Sequence, residues 1–133
     1  MAGERILIVD DNPTNLKLLA YLMQQNGYVV ATALDADAAL ASIERDRPTL
    51  ILMDLQLPGV DGLALTRQLK QAPATRDVII IAVTAFAMKG DLEKAVAAGC
   101  DDYVTKPIDT RTVPAIIARH LEARAARGSG APA

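Results

Sequence analysis

The sequence of 133 residues has few aromatic side chains, a single cysteine and no long apolar run. Aromatic residues make up 3% and apolar residues 51%, so the core must consist of aliphatic side chains, as in a buried parallel sheet. A lone Cys100 excludes an internal disulfide and favours a reducing compartment. The longest apolar run, residues 78–83, is far shorter than the roughly 20 residues that cross a bilayer. We therefore expect a soluble, cytoplasmic protein without a membrane partner.

The sequence also has no excess of basic over acidic residues. The formal net charge is -2, whereas a protein that binds nucleic acid usually presents a basic face to the phosphate backbone. Neither a helix-turn-helix pattern nor a zinc-ligand spacing is present to offset this charge. Nucleic acid is therefore not expected as a partner.

Five short apolar runs alternate with stretches of helical period. The runs are residues 5–9, 28–32, 49–53, 78–83 and 102–104, and each reads as a continuous apolar strand. Apolar residues recur at i, i+3, i+4 and i+7 between them, for example at Leu16, Leu19, Ala20 and Met23. Strict alternation predicts an α/β fold of the (βα)5 type, in which a doubly wound parallel sheet carries helices on both faces.

The ends of the predicted elements carry the expected boundary residues. Asn12 before Pro13 is a typical helix start, and Asp35 and Asp109 are plausible N-caps. Helical period fades after Leu121, and the last six residues are rich in glycine, alanine and proline. We therefore predict one domain over residues 1–124, followed at residues 125–133 by a disordered tail, a linker or an expression remnant.

Polar residues follow the predicted strands at one edge of the sheet. Asp10 and Asp11 follow the first strand, Asp54 the third, Thr84 the fourth and Lys106 the fifth. In doubly wound sheets functional groups collect at the carboxyl ends of strands. Each residue alone also fits a helix cap, a turn or a solvated surface position. Their joint placement at one edge points to a functional site.

The charges at this edge predict a divalent cation. Three carboxylates against the single ammonium of Lys106 leave about two negative charges unbalanced. Closely packed carboxylates raise one another's pKa unless a cation lies between them. Mg2+ suits such a site because it accepts a few protein oxygens and then a phosphate oxygen.

The pattern resembles the response-regulator receiver family over about residues 4–122. The resemblance rests on residues 9–12 (VDDN), 53–62 (MDLQLPGVDG), 83–85 (VTA) and 102–107 (DYVTKP). It implies a flavodoxin-like sheet with strand order 2-1-3-4-5. Residues 12–15 and 85–91 look most like single-domain DivK-type regulators and the receivers of hybrid histidine kinases.

The resemblance implies a role for each residue of the site. Asp54 would accept a phosphoryl group from a phosphohistidine on a histidine kinase or histidine phosphotransfer protein. Asp11, Asp54 and the backbone carbonyl of Gln56 would ligate Mg2+, with Asp10 acting through water. Lys106 would pair with one phosphoryl oxygen, and the Thr84 hydroxyl would donate to another.

The same resemblance implies how the phosphorylated state would be formed, lost and recognised. The domain would be a signalling module rather than an enzyme, catalysing only its own phosphotransfer and autodephosphorylation, with Gln56 and Phe86 at positions that tune the rate. A cis Lys106–Pro107 bond is expected. Thr84 and Tyr103 would transmit phosphorylation to the face made by the fourth helix, fifth strand and fifth helix, where a downstream protein target binds.

Two other functional classes fit the sequence less well. A phosphatase of the haloacid-dehalogenase type also uses a strand-end aspartate with Mg2+, but it needs a second aspartate where Gln56 stands. A dinucleotide-binding domain needs a glycine-rich turn after the first strand, where this chain is acidic. Within the receiver class, a complete one-domain regulator and a portion of a hybrid kinase both remain open.

Overall fold

A computed structural model describes residues 3–57, 62–85 and 89–130 of the chain. Five strands alternate with five helices in these ranges, as the sequence predicted. The elements are β1 (Arg5–Val9), α1 (Pro13–Gln25), β2 (Val29–Ala33), α2 (Ala36–Arg45), β3 (Leu50–Asp54), α3 (Gly62–Gln71), β4 (Ile79–Thr84), α4 (Lys89–Ala98), β5 (Asp102–Thr105) and α5 (Thr112–Gly130).

The strands form one parallel sheet in the order β2-β1-β3-β4-β5, so the predicted fold class is confirmed. Its central strands β1, β3 and β4 are almost wholly buried because helices cover both faces. Continuous apolar strands are what this two-sided burial requires.

Two apolar clusters lie on opposite faces of the sheet. On one face, α1 and α5 pack on the sheet through residues such as Leu19, Met23 and Ile117. On the other face, α2 and α3 pack through Ala39 and Leu65, among others. Alternate strand residues supply the two clusters, so the sheet is held from both sides and its carboxyl edge is fixed.

Several strands begin one residue later than predicted because turns use the preceding backbone groups. The Tyr28 amide donates to the carbonyl of Met23 at the end of α1, so β2 starts at Val29. The Val78 amide likewise donates to Thr75 within a turn. Strands β3 and β4 also end one residue later than predicted, so Asp54 and Thr84 are their last residues rather than the residues after them.

The predicted cap residues all accept hydrogen bonds from backbone amides near the starts of their helices. Asn12 caps α1, with its side chain accepting from the amides of Thr14 and Asn15, and Pro13 is the first helical residue. Asp35 caps α2 through the amide of Ala38. The Asp109 side chain accepts from two amides in the turn that leads into α5.

Gly62 allows α3 to begin directly against the end of β3. A Cβ atom at this position would lie 2.5 Å from the backbone oxygen of Asp54 and 2.8 Å from the Cα of Leu55. Real Cβ atoms do not approach backbone so closely, so a larger residue would displace either α3 or the Asp54 backbone. The small side chain therefore helps to position the end of β3.

Helix α5 continues to Gly130, beyond the predicted domain limit at residue 124. Arg124 donates from its guanidinium to the backbone carbonyl of Asp77, which ties this part of α5 to the turn before β4. The separation of a tail at residues 125–133 stays a prediction. Among the helices in the described ranges, none is both long and apolar enough to span a membrane.

Candidate functional site at the carboxyl edge of the sheet

The sheet brings the predicted polar residues together at its carboxyl edge. Asp10 directly follows β1, Asp54 and Thr84 end β3 and β4, and Lys106 directly follows β5. The parallel hydrogen-bond ladder extends past the strands and anchors this edge. Its last bonds run from Asp10 N to Ala33 O (3.1 Å), from Leu55 N to Val83 O (3.0 Å) and from Lys106 N to Thr84 O (2.8 Å).

Asp10, Asp11 and Asp54 form an acidic cluster in which one carboxylate oxygen of each lies within 4.8 Å of the others. Asp10 and Asp54 are both only 1% exposed, whereas Asp11 is exposed. The Nζ atom of Lys106 lies 3.4 Å from Asp54 Oδ2 and 3.9 Å from Asp10 Oδ2. One ammonium therefore faces two buried carboxylates and leaves the cluster negative.

Two of the buried carboxylate oxygens are open to a further electrophilic or cationic partner. Within the described part of the chain, Asp10 Oδ2 and Asp54 Oδ2 accept no hydrogen bond. Their companion oxygens are held, Asp10 Oδ1 by the amide of Asn12 (2.8 Å) and Asp54 Oδ1 by the amide of Gln56 (2.9 Å). Buried polar atoms normally find a partner. Clustered carboxylate oxygens are the ligands that Mg2+ accepts, so the donor set fits this ion.

Burial raises the pKa of Asp54 above its ordinary value. The nearby carboxylate of Asp10 raises it further, while the amide of Gln56 and the ammonium of Lys106 act in the opposite direction. A buried charged group that lacks full compensation disfavours its ionised form. Ionisation of Asp54 is therefore energetically unfavourable when no cation is bound.

We expect Asp54→Asn to stabilise the fold at neutral pH when divalent cations are removed. The folded protein holds the Asp54 proton more tightly than the unfolded chain. Tighter binding of the Asp54 proton stabilises the folded state. This stabilisation is fully present below the ordinary aspartate pKa and is lost as pH rises through the raised pKa of Asp54. At pH 7 the variant should be more stable by about 1 kcal/mol, a common size for a single substitution, because a neutral amide replaces a buried charge while Asp10 remains beside Lys106.

Thermal unfolding from pH 4 to 8 in a chelator measures this effect, with about 3–5 °C expected per kcal/mol. The difference between the variant and the wild type should grow as pH rises. Asp46→Asn, at an exposed carboxylate near Arg5, is the control and should show no such growth. An Asp54→Asn variant less stable than the wild type at pH 7 would contradict the argument.

The Gln56 side chain connects β3 to the end of β4, a contact that the sequence did not predict. Its Nε2 donates to the hydroxyl of Thr84 at 3.0 Å, and its Oε1 accepts from the amide of Ala85 at 3.4 Å. Thr84 is buried. Gln56 was predicted as a backbone ligand and as a position that tunes the hydrolysis rate, but no pattern in the sequence indicates a side-chain contact across 28 residues.

The other residues named in the sequence analysis lie on or beside β5 or outside the described ranges. Tyr103 is 40% exposed on β5, and the Lys106–Pro107 bond is cis. Phe86 and residues 58–61 of the 53–62 motif lie outside the described residues. Cys100 packs against the cluster on the α2 and α3 face, and burial raises the pKa of its thiol.

A charged cluster at the start of β5 was also not predicted. Asp102 Oδ2 lies 2.8 Å from both Arg119 and His120 of α5. Burial raises the pKa of Asp102, but hydrogen bonds from His120 and the amide of Tyr103 hold it below its ordinary value. His120 therefore has a structural partner between α5 and β5 and lies apart from the acidic cluster.

The family description of the response regulator receiver domain matches residues 6–118. The chain belongs to this family. It is 46% identical over 103 residues to the polar-differentiation response regulator DivK of Brucella anthropi, covering 77% of this chain and 84% of DivK. It is 42% identical over 105 residues to the response regulator PleD of Caulobacter vibrioides, covering 79% of this chain but only 23% of PleD.

Solved structures agree with this assignment. The receiver domain of a sensor histidine kinase from Pseudomonas aeruginosa, with a magnesium ion coordinated in its active-site cleft, is 40% identical, with a TM-score of 0.80 over 89% of this chain and 97% of that domain. A CheY-like receiver domain from Methanospirillum hungatei has a TM-score of 0.87 at 29% identity, over 95% and 99% of the two chains.

The receiver domain is a phosphorylation-dependent switch of two-component signalling. Receiver domains take phosphoryl groups from histidine kinases and act on downstream targets. The alternative of a haloacid-dehalogenase phosphatase finds no support in these relatives. The acidic cluster of this chain fits both phosphorylation and Mg2+.

Proposed function

We propose that Asp54 is the phosphoryl acceptor of this receiver domain. The observation that carries the proposal is the state of its two oxygens. Oδ1 is held by the Gln56 amide, whereas buried Oδ2 accepts no hydrogen bond from the described residues and lies 3.4 Å from the Lys106 ammonium. Oδ2 is therefore the oxygen that is oriented and left for bond formation.

Phosphoryl transfer to Asp54 requires one covalent step, in which one bond forms and one breaks. Asp54 Oδ2 forms a bond to the phosphorus of a phosphohistidine, and the bond between phosphorus and the donor imidazole nitrogen breaks. Lys106 neutralises charge on one phosphoryl oxygen, and the hydroxyl of Thr84 donates to another. Phosphoryl transfer is accelerated mainly by such positioning and charge neutralisation.

Asp11, Asp54 and the backbone carbonyl of Gln56 would hold Mg2+, with Asp10 acting through water. When bound, Mg2+ would neutralise charge on the transferring phosphoryl group. The three carboxylates within 4.8 Å support this part of the proposal, because they exceed the single ammonium in charge. Hydrolysis of the acyl phosphate in the same site would return the domain to its resting state, and the domain would catalyse only its own phosphotransfer and autodephosphorylation.

The phosphodonor would be a histidine kinase or a histidine phosphotransfer protein, and the receiver would act on a downstream protein. The phosphodonor and the downstream protein are parts of the proposal. The proposal also includes a receiver domain over residues 1–124 and a separate tail at residues 125–133. A cytoplasmic location is consistent with the free thiol of Cys100.

We expect phosphorylation to be read out through Thr84 and Tyr103. A phosphoryl group brings about -1.5 to -2 charges and strong acceptor oxygens, which would draw the Thr84 hydroxyl toward Asp54. Tyr103, on the neighbouring strand β5, would move into the space that Thr84 leaves. A bias of a few kcal/mol between two states is enough to change partner affinity.

NMR spectra with and without Mg2+ and fluoroberyllate, an unreactive phosphoryl mimic, measure this readout. Resonances around Thr84, Tyr103 and Lys106 should shift in the wild type. In Thr84→Ala the shift at Tyr103 should be lost, while signals beside Asp54 still report binding. An unchanged Tyr103 signal in the wild type, or a wild-type response in Thr84→Ala, would refute the mechanism.

A further inference from the structure

The carboxamide of Gln56 has a fixed orientation between β3 and β4. The backbone N–H of Ala85 can only donate, so the carboxamide oxygen must face it, at 3.4 Å. The carboxamide nitrogen then faces Thr84 and donates to its hydroxyl at 3.0 Å. The opposite orientation would place the amide nitrogen against the N–H of Ala85.

The same residue also holds the phosphoacceptor. The backbone N–H of Gln56 donates to Asp54 Oδ1 at 2.9 Å. Gln56 therefore makes a hydrogen bond to the carboxylate of Asp54 through its backbone and another to the hydroxyl of Thr84 through its side chain. The backbone of Thr84 is fixed separately, because its carbonyl accepts from the Lys106 amide at 2.8 Å. Movement of the Thr84 oxygen toward Asp54 therefore requires rotation about χ1 of the side chain.

The rotation of Thr84 is limited by its own chemistry and by this contact. A β-branched side chain has few favourable χ1 rotamers, so a hydrogen bond to its hydroxyl can favour one of them. The carboxamide itself has room to leave, since a groove of about 190 Å³ borders it. The groove is lined by Leu55, Gln56, Leu63, Thr84, Asp91 and Lys94.

From these contacts we infer that Gln56 is a positioning residue whose side chain holds Thr84 in its resting rotamer. Because the Thr84 oxygen accepts from the Gln56 carboxamide, a χ1 rotation that carries this oxygen toward a phosphoryl group on Asp54 breaks the contact. The contact therefore opposes spontaneous activation in the unphosphorylated protein. This inference rests on the proposed function of Asp54 and Thr84, and it concerns the resting state of that same site.

Gln56→Met tests the inference, because it keeps the length of the side chain and the backbone carbonyl but removes the amide. In the unphosphorylated variant, methyl couplings that report χ1 of Thr84 should shift toward the rotamer seen with fluoroberyllate, and Tyr103 signals should move in the same direction. Fluoroberyllate should bind about three- to tenfold more tightly, which is the shift that one neutral hydrogen bond supplies. Gln68→Met, at an exposed residue of α3, should change neither.

The inference requires that the effect of Gln56→Met on the Tyr103 signals depends on the Thr84 hydroxyl. In a Thr84→Ala background, Gln56→Met should no longer move the Tyr103 signals. The inference is overturned if the Thr84 rotamer and fluoroberyllate affinity match the wild type, if affinity falls, or if the Tyr103 shift persists without the hydroxyl. Failure of fluoroberyllate to bind the wild type would instead contradict the proposed acceptor, and the χ1 couplings of the unphosphorylated variant would still decide whether Gln56 holds Thr84.

Discussion

Asp54→Asn is expected to take up no phosphoryl group from acetyl phosphate in the presence of Mg2+. The amide that replaces the carboxylate is not a nucleophile, and the neighbouring carboxylates are placed less well. Asp10 is held by Asn12 and lies farther from Lys106, at 3.9 Å against 3.4 Å. Asp11 is exposed. Intact-mass spectrometry before and after incubation measures the uptake directly.

Asp46→Asn is the matched control for this experiment. Asp46 is an exposed carboxylate that pairs with Arg5, at the start of β1 and thus at the opposite edge of the sheet. The control should be phosphorylated like the wild type. Wild-type uptake by Asp54→Asn would remove Asp54 from the proposal, whereas loss of uptake in both variants would point to a folding defect.

Removal of Mg2+ should reduce phosphoryl uptake by at least about a hundredfold. The cation is worth several kcal/mol of charge stabilisation in such transfers, and each 1.36 kcal/mol is a factor of ten in rate. We expect phosphoryl uptake to depend on Mg2+ because Lys106 alone does not neutralise the carboxylates of the acidic cluster. Free Mg2+ at about a hundred times its dissociation constant should also stabilise the wild type by about 2.7 kcal/mol.

Asp11→Ala separates this Mg2+ site from other cation effects. The variant should lose most of the thermal stabilisation by Mg2+, while Asp46→Asn should keep it. Affinity should also weaken at acid pH, because protons and the cation compete for the same carboxylates. Equal stabilisation of Asp11→Ala and the wild type would place the ion elsewhere on the molecule.

The sequence was sufficient to predict the fold and the residues of the acidic edge. Continuous apolar runs alternating with helical period leave few arrangements other than a parallel sheet with helices on both faces. In a parallel sheet every strand ends at the same edge, so Asp10, Asp54, Thr84 and Lys106 could be placed together from their positions after the runs alone.

Contacts that depend on side-chain direction could not be predicted in the same way. The carboxamide of Gln56 contacts Thr84, and Asp102 contacts both Arg119 and His120, yet no periodic pattern links these residues. The exposure of single apolar residues is equally hard to predict, since Val96 of α4 is 67% exposed. Contacts and exposure both follow from packing between elements, which a linear pattern does not contain.

Chemical trapping of the phosphorylated residue tests most directly whether Asp54 is the acceptor. Borohydride reduces an acyl phosphate to the alcohol, so a phosphorylated aspartate becomes homoserine, which peptide mass spectrometry can locate. After incubation with a phosphorylated histidine phosphotransfer protein and Mg2+, we predict homoserine at position 54 and at no other aspartate. Homoserine at position 10 or 11, or a phosphoryl group retained on His120, would contradict the assignment.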